Sequence, residues 1–206
     1  ALLAQDGPSK GIEDASTPNE QKNVILVHPP VVKPCEPPAG IARLHHFLQR
    51  RGIKCKIWDA NLEGLLSLLQ GQKELFSSPL SAPLDPWTRR AWRNLSLNLD
   101  RIKHGTTYHD FARYRRAVED LNRLLSKAVI SPDVRLSLAN YQHVHLSPAK
   151  SIDLIQAAEK PEQNPFYPFF KERLAEVLGE TASLMVGFSL NYLSQALSTF
   201  AMVGCL

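Results

Sequence analysis

The sequence predicts an α/β protein built on a doubly wound, Rossmann- or flavodoxin-like parallel sheet, and three observations carry that expectation. Val24-Ile25-Leu26-Val27 is a short, wholly apolar, β-branched-rich run, the pattern of a central parallel strand buried on both faces. Lys54-Cys55-Lys56-Ile57-Trp58-Asp59 follows a helix-length segment and closes in Asp59-Ala60-Asn61. Leu184-Met185-Val186-Gly187-Phe188-Ser189 returns to the buried-strand pattern much later in the chain. Strand, helix and strand at this spacing make a βαβ unit.

The first strand must stop at His28-Pro29-Pro30, because proline cannot donate to a sheet ladder. Between Gly40 and Arg51, Ile41, Leu44, Phe47 and Leu48 share one helical face, and Gly52 supplies the stop. After Asn61 the strand pattern breaks. Helix-like stretches are expected near 62–70, 86–103, 107–129, 147–158 and 165–179, separated by turns such as Ser78-Pro79 and Asp85-Pro86. Tyr141 to Leu146 reads as a short extended piece. The core therefore carries a helical insertion over 62–180, far longer than an ordinary connection. A helix is expected after the third strand, through Gln195, Phe200 and Met202.

At 206 residues with 44% hydrophobic content, the chain can bury an ordinary core. Residues 1–22 read as a flexible leader, because Asp6-Gly7-Pro8-Ser9 and Ser16-Thr17-Pro18-Asn19 are turn formers with no apolar periodicity between them. The remainder, 23–206, forms one α/β domain. With no initiating Met, and with an end at Cys205-Leu206 in mid-pattern, both termini read as fragment boundaries, and the domain as truncated at its C-terminus.

Lys and Arg number 24 against 20 Asp and Glu, a net charge of +4. The basic residues Arg89, Arg90, Arg93, Arg113, Arg115 and Arg116 lie among helix formers, so they read as solvated helix faces, and no nucleic-acid partner is expected. Cys35, Cys55 and Cys205 are too scattered for a disulfide framework or a zinc site. No apolar run reaches membrane-spanning length and no signal segment is present, so the expected location is the cytoplasm, with no membrane partner.

In an open parallel sheet, ligands bind outside the carboxyl ends of the strands. The candidate loops are therefore His28 to Gly40, Asp59 to Asn61, and Ser189 to Gln195. The first holds five prolines in thirteen residues and is preset rather than mobile. Gly40 opens a helix and would let a backbone amide approach a ligand. Neither GxGxxG nor GxxxxGK[ST] occurs, which argues against a nicotinamide or nucleoside-triphosphate site. His143 and His145 share one side of an extended piece without a third ligand, and read as a surface strand rather than a metal pair. Trp87, Trp92, Phe111 and Tyr114 read as core residues at helical spacing rather than a ligand cap. GFSLN lacks the second glycine of a hydrolase elbow at Ser189.

The combination VILVHPP, KPCEPPAGIARLHHFLQRRGIKCKIWDAN and, after the insertion, LMVGFSLNYLSQALSTFAMV resembles the amino-terminal cobalamin-binding domain of radical-SAM enzymes. The resemblance covers 23–61 and 184–206. It implies a corrin lying across the carboxyl edge of the sheet. Its cofactor-binding residues would be Pro29, Pro30, Pro37, Pro38 and Gly40 from the first loop, Asp59 and Asn61 from the second, and Ser189, Asn191, Tyr192 and Gln195 from the third. Ser189 matches the position whose hydroxyl bonds the nucleotide tail. The resemblance further implies a partner, the C-terminal radical-SAM domain of the same parent chain, which would hold SAM and a 4Fe-4S cluster outside this stretch. Cobalamin proteins that ligate cobalt through histidine use DxHxxG. Around His28 this sequence has Leu26 and Val31 instead, so His28 reads as a satisfied polar residue at a strand end. No catalytic residue and no protein metal ligand is assigned. The rival readings are a non-enzymatic interaction module on the same scaffold and a nucleotide-binding enzyme fragment.

Overall fold

The structure, a computed structural model, describes residues 23–36, 38–77, 84–178 and 184–206. The leader expected over 1–22 and Pro37 lie outside the described residues. In chain order the elements are β1 (Asn23–Val27), α1 (Ala39–Arg50), β2 (Lys54–Trp58), α2 (Ala60–Ser77), α3 (Pro86–Arg93), α4 (Leu95–Lys103) and α5 (Phe111–Ala128). They continue with β3 (Val134–Leu136), β4 (Tyr141–His143), α6 (Ser151–Glu159), α7 (Tyr167–Leu178), β5 (Leu184–Phe188) and α8 (Leu193–Gly204).

β1, β2 and β5 form one parallel sheet in the order β2-β1-β5. β1 lies in the middle because its four apolar residues can be buried on both sides. Val24 and Leu26 pack with Ile41 of α1 and Cys55 of β2, whereas Ile25 and Val27 join the large core built by the insertion and α8. Lysines at 54 and 56 keep β2 at an edge, exposed on alternate positions, where charge discourages pairing with another chain. At the opposite edge β5 is only half covered, and Met185 is exposed.

The connection from β1 to β2 is stiffened by the end of α1. Gly52 has φ +74°, a left-handed conformation in which a side chain is strained. From there its N–H donates to Gln49 O and that of Ile53 to Leu48 O, at 3.0 and 3.1 Å. This pair of bonds satisfies carbonyls that a helix end otherwise leaves open. Leu48 and Ile53 then pack together on the Val24 side of the sheet, so one turn sets the entry into β2.

The segment between β2 and β5 is not helical throughout. Val134–Leu136 and Tyr141–His143 pair as an antiparallel hairpin, placing Val134, Leu136 and Tyr141 in the core and Arg135 and Gln142 outside. The stretch expected as one helix over 86–103 is two, divided at Asn94. Asp85 starts the first by accepting from Trp87 N and Thr88 N, with Pro86 at the first helical position. α6 and α8 approach so closely that a Cβ on Gly204 would collide with the backbone carbonyl of Ala158.

Two glycines thus carry different constraints. Gly52→Ala is expected to cost about 1–2 kcal/mol through its backbone angle, and Gly204→Ala about 1–3 kcal/mol through overpacking. Urea unfolding of each variant checks both, and Gly40→Ala, whose Cβ would meet open space, is the matched control with little change.

Candidate functional site

The three strand tips stay together beyond the strands. His28 N donates to Trp58 O, Asn61 N to His28 O and Ser189 N to Val27 O, each at 2.9 Å. The carboxyl edge of the sheet is therefore one continuous hydrogen-bonded rim rather than three loose ends.

Above it the chain turns at Pro29 to Val32, all four residues buried, with a cis peptide bond between Pro30 and Val31. Proline leaves this turn short of donors, and its carbonyls need partners. Two amide side chains supply them. Asn61 accepts from Val32 N at 3.0 Å and donates to Val32 O at 2.9 Å. Gln195 donates to Pro29 O at 2.7 Å while its Oε1 accepts from Asn191 N and Tyr192 N at 2.9 and 3.1 Å. Ser194 adds a hydroxyl to Val31 O at 2.7 Å. Both amides are essentially inaccessible to solvent, and they hold the backbone rather than present themselves to a ligand.

The other expected residues fall into two groups. Pro29 and Pro30 are buried under the turn, Pro38 caps α1 without a side-chain bond, and Asp59 accepts from Leu62 N at the start of α2. Gly40 is exposed at a negative φ and has room for a side chain. Ser189, Asn191 and Tyr192 lie on the open rim, with Asn191 Nδ2 donating to Ser189 Oγ at 3.3 Å. Sequence reading did not single out Glu36, yet it ties the first loop to the third. Its carboxylate accepts from Tyr192 OH at 3.0 Å and from Lys33 Nζ at 3.1 Å. Those two bonds, that of Lys33 first, hold the Glu36 carboxyl below its ordinary range. Leu190, Tyr192 and Leu193 are 46%, 50% and 65% exposed, an apolar strip along the rim beside the Ser189 hydroxyl.

His28 departs from the sequence expectation. It is only 3% exposed, and neither ring nitrogen has a hydrogen-bond partner among the described residues. It stands directly after β1, buried at the strand tip. Burial lowers its pKa, and the negative charge of Asp59 offsets part of that effect.

His143 and His145 sit in the hairpin and just beyond it. His143 Nδ1 accepts from His145 N at 3.1 Å, and His145 Nε2 lies 3.4 Å from Asp133 Oδ1. Among the described residues no group of three or more His, Cys, Asp or Glu side chains is placed to hold a metal ion. Of the aromatic residues expected in the core, Trp92 packs against it, whereas Trp87 and Phe111 are exposed. Among the described residues no helix is long and apolar enough to cross a membrane. Comparison with protein-family models, with curated proteins and with solved structures finds no match to this chain.

Because the folded protein binds a proton at His28 less readily than the unfolded chain, stability from this group is intact above the ordinary imidazole value of 6.5 and falls as pH drops below it. His28→Leu is expected to flatten that acid-side decline and to change stability at pH 8 by less than about 1.5 kcal/mol, measured by denaturant titration across pH. Gln195→Ala, by contrast, leaves the buried Pro29 carbonyl unpaired and is expected to cost about 2–4 kcal/mol at any pH.

Proposed function

We propose that this chain is the cobalamin-binding module of a radical-SAM enzyme, on a doubly wound, Rossmann-like α/β core. The observation that carries the reading is the rim at the tip of β5. Ser189, Asn191 and an exposed apolar strip of Leu190, Tyr192 and Leu193 lie at the carboxyl edge of a parallel sheet, where ligands of this architecture bind. Gln195 fixes that rim to the Pro29 turn across 166 residues of sequence, so the two segments that carry the family resemblance act as one structural unit.

The donor set suits a corrinoid. A flat macrocycle edged with amides needs an apolar floor and a few polar contacts, and the rim offers both. Ser189 and Asn191 would hold the polar substituents, while Leu190, Tyr192 and Leu193 would support the ring. Buried His28 does not belong to this surface, and cobalt takes no protein ligand from it in this reading. When bound, the corrinoid supplies cobalt–carbon chemistry for methyl transfer or rearrangement in the parent enzyme. The protein's own part is to bind and orient. The stiff turn and its amide clamps present the rim without an ordering cost on binding.

Hydroxocobalamin added to the full chain tests this directly by its absorbance spectrum and by co-elution in gel filtration. Saturable binding with a spectral shift is expected, weakened about 5- to 10-fold by Ser189→Ala, the loss of one hydrogen bond. Leu190→Glu, a change at an exposed position, is expected to weaken it more than tenfold with the thermal midpoint little altered. Absence of any bound corrinoid at high micromolar concentration would refute the reading.

A further inference from the structure

The positive charge of this chain is concentrated in one part of the insertion. Residues 85–128, which form α3, α4 and α5, hold eight Arg and two Lys against four Asp and one Glu, a net +5 where the whole chain carries +4. Everything outside this run is close to neutral.

The carboxylates that lie among these cations in the sequence are largely engaged. Asp85 caps α3 and accepts from the Thr88 hydroxyl, Asp110 caps α5 and pairs with Arg113, and Glu119 pairs with Arg115. Asp120, 3% exposed, accepts from Arg90 at 2.7 Å and from Asn98 at 3.1 Å. The fifth, Asp100, belongs to α4.

The same bonds order the remaining cations. Arg116, Asp120, Arg123 and Lys127 recur at spacings of four, three and four, and so share one face of α5. Arg90 meets Asp120 and Arg123 lies 3.9 Å from Asp85, which lays α3 antiparallel along that face. Arg93, one turn past Arg90, is thereby carried towards Arg116, one turn before Asp120. Arg93, Arg116 and Lys127 are exposed, with no ion-pair or hydrogen-bond partner among the described residues. From Arg116 to Lys127 the seam runs about 16 Å along α5. Beside it, the Trp87 ring faces the Arg90 guanidinium at 5.1 Å and is still 57% exposed.

We propose that the seam between α3 and α5 binds the phosphodiester backbone of a single-stranded nucleic acid, with Trp87 as a stacking surface for a base. Arginine at eight of the ten basic positions suits phosphate, which its planar fork meets in bidentate fashion. A row of cations beside an open aromatic ring is how unpaired strands are held. An anionic bilayer needs no such fork and is attracted as well by lysine. The proposal does not depend on what occupies the sheet rim.

Fluorescence anisotropy of the full chain with a labelled RNA of about 20 nucleotides, and with DNA of the same sequence, tests the assignment. Saturable binding to at least one strand is expected, with log affinity falling against log salt at a slope of about −3, as for four phosphate contacts. Arg93→Gln and Arg116→Gln are each expected to weaken binding about 3- to 10-fold and to reduce that slope by about 0.7. Trp87→Ala is expected to weaken it about 5-fold or more. Arg43→Gln removes the same charge from α1 and is expected to leave the affinity unchanged. All four positions are exposed, and circular dichroism of each variant is expected to match the parent. No saturable binding to either strand at high micromolar concentration, equal weakening by Arg43→Gln, poly-L-glutamate competing as well as the oligonucleotide, or binding confined to phosphatidylglycerol vesicles would each overturn the proposal.

Discussion

The architecture of the carboxyl edge depends on two buried amides. A turn made of Pro29, Pro30, Val31 and Val32 cannot satisfy itself, since prolines donate nothing and the residues are out of reach of water. Asn61 and Gln195 approach it from opposite sides of β1, one following β2 and the other following β5. Each uses its carbonyl and its amide at once, so neither can be exchanged for a hydroxyl or an aliphatic side chain without leaving a backbone group unpaired. The central strand, the two flanking loops and the start of α8 are thereby joined into one rigid piece.

The same bracing makes the rim rigid. Rigidity comes from below, through the ladder that continues past the strands, and from behind, through the clamped turn. What remains on the outside is Ser189, half-buried, and Leu190, Asn191, Tyr192 and Leu193, all exposed. The Tyr192–Glu36–Lys33 chain adds a polar brace on the exposed side. Its members are solvated and contribute position more than stability.

Much of this was legible in the residues. The three strands and α1 follow from apolar runs and helical spacing, and their ends differ from expectation by a residue or so. Asn61 and Gln195 were recognisable as residues of the loops at the strand ends, but not as clamps, because the partner of each is a backbone group 29 or 166 positions away. No local pattern encodes such a pairing. His28 was expected to be satisfied, since polar residues at strand ends usually are, and only the structure reveals that its ring nitrogens lack a partner among the described residues. The strand Val134-Arg135-Leu136 escaped notice because three residues are too few to display an alternation, and with it went the hairpin. α2 runs to Ser77, beyond the expected 62–70.

Native-state hydrogen exchange tests the clamped edge most directly. If the amides secure the turn, the Val32 and Tyr192 N–H groups, whose acceptors are side chains rather than a ladder, exchange only through the opening that also exposes β1, with free energies within about 1 kcal/mol of those of Ile25 and Leu26. Exchange of Val32 or Tyr192 at rates near those of an unstructured chain, while β1 stays protected, would contradict the account.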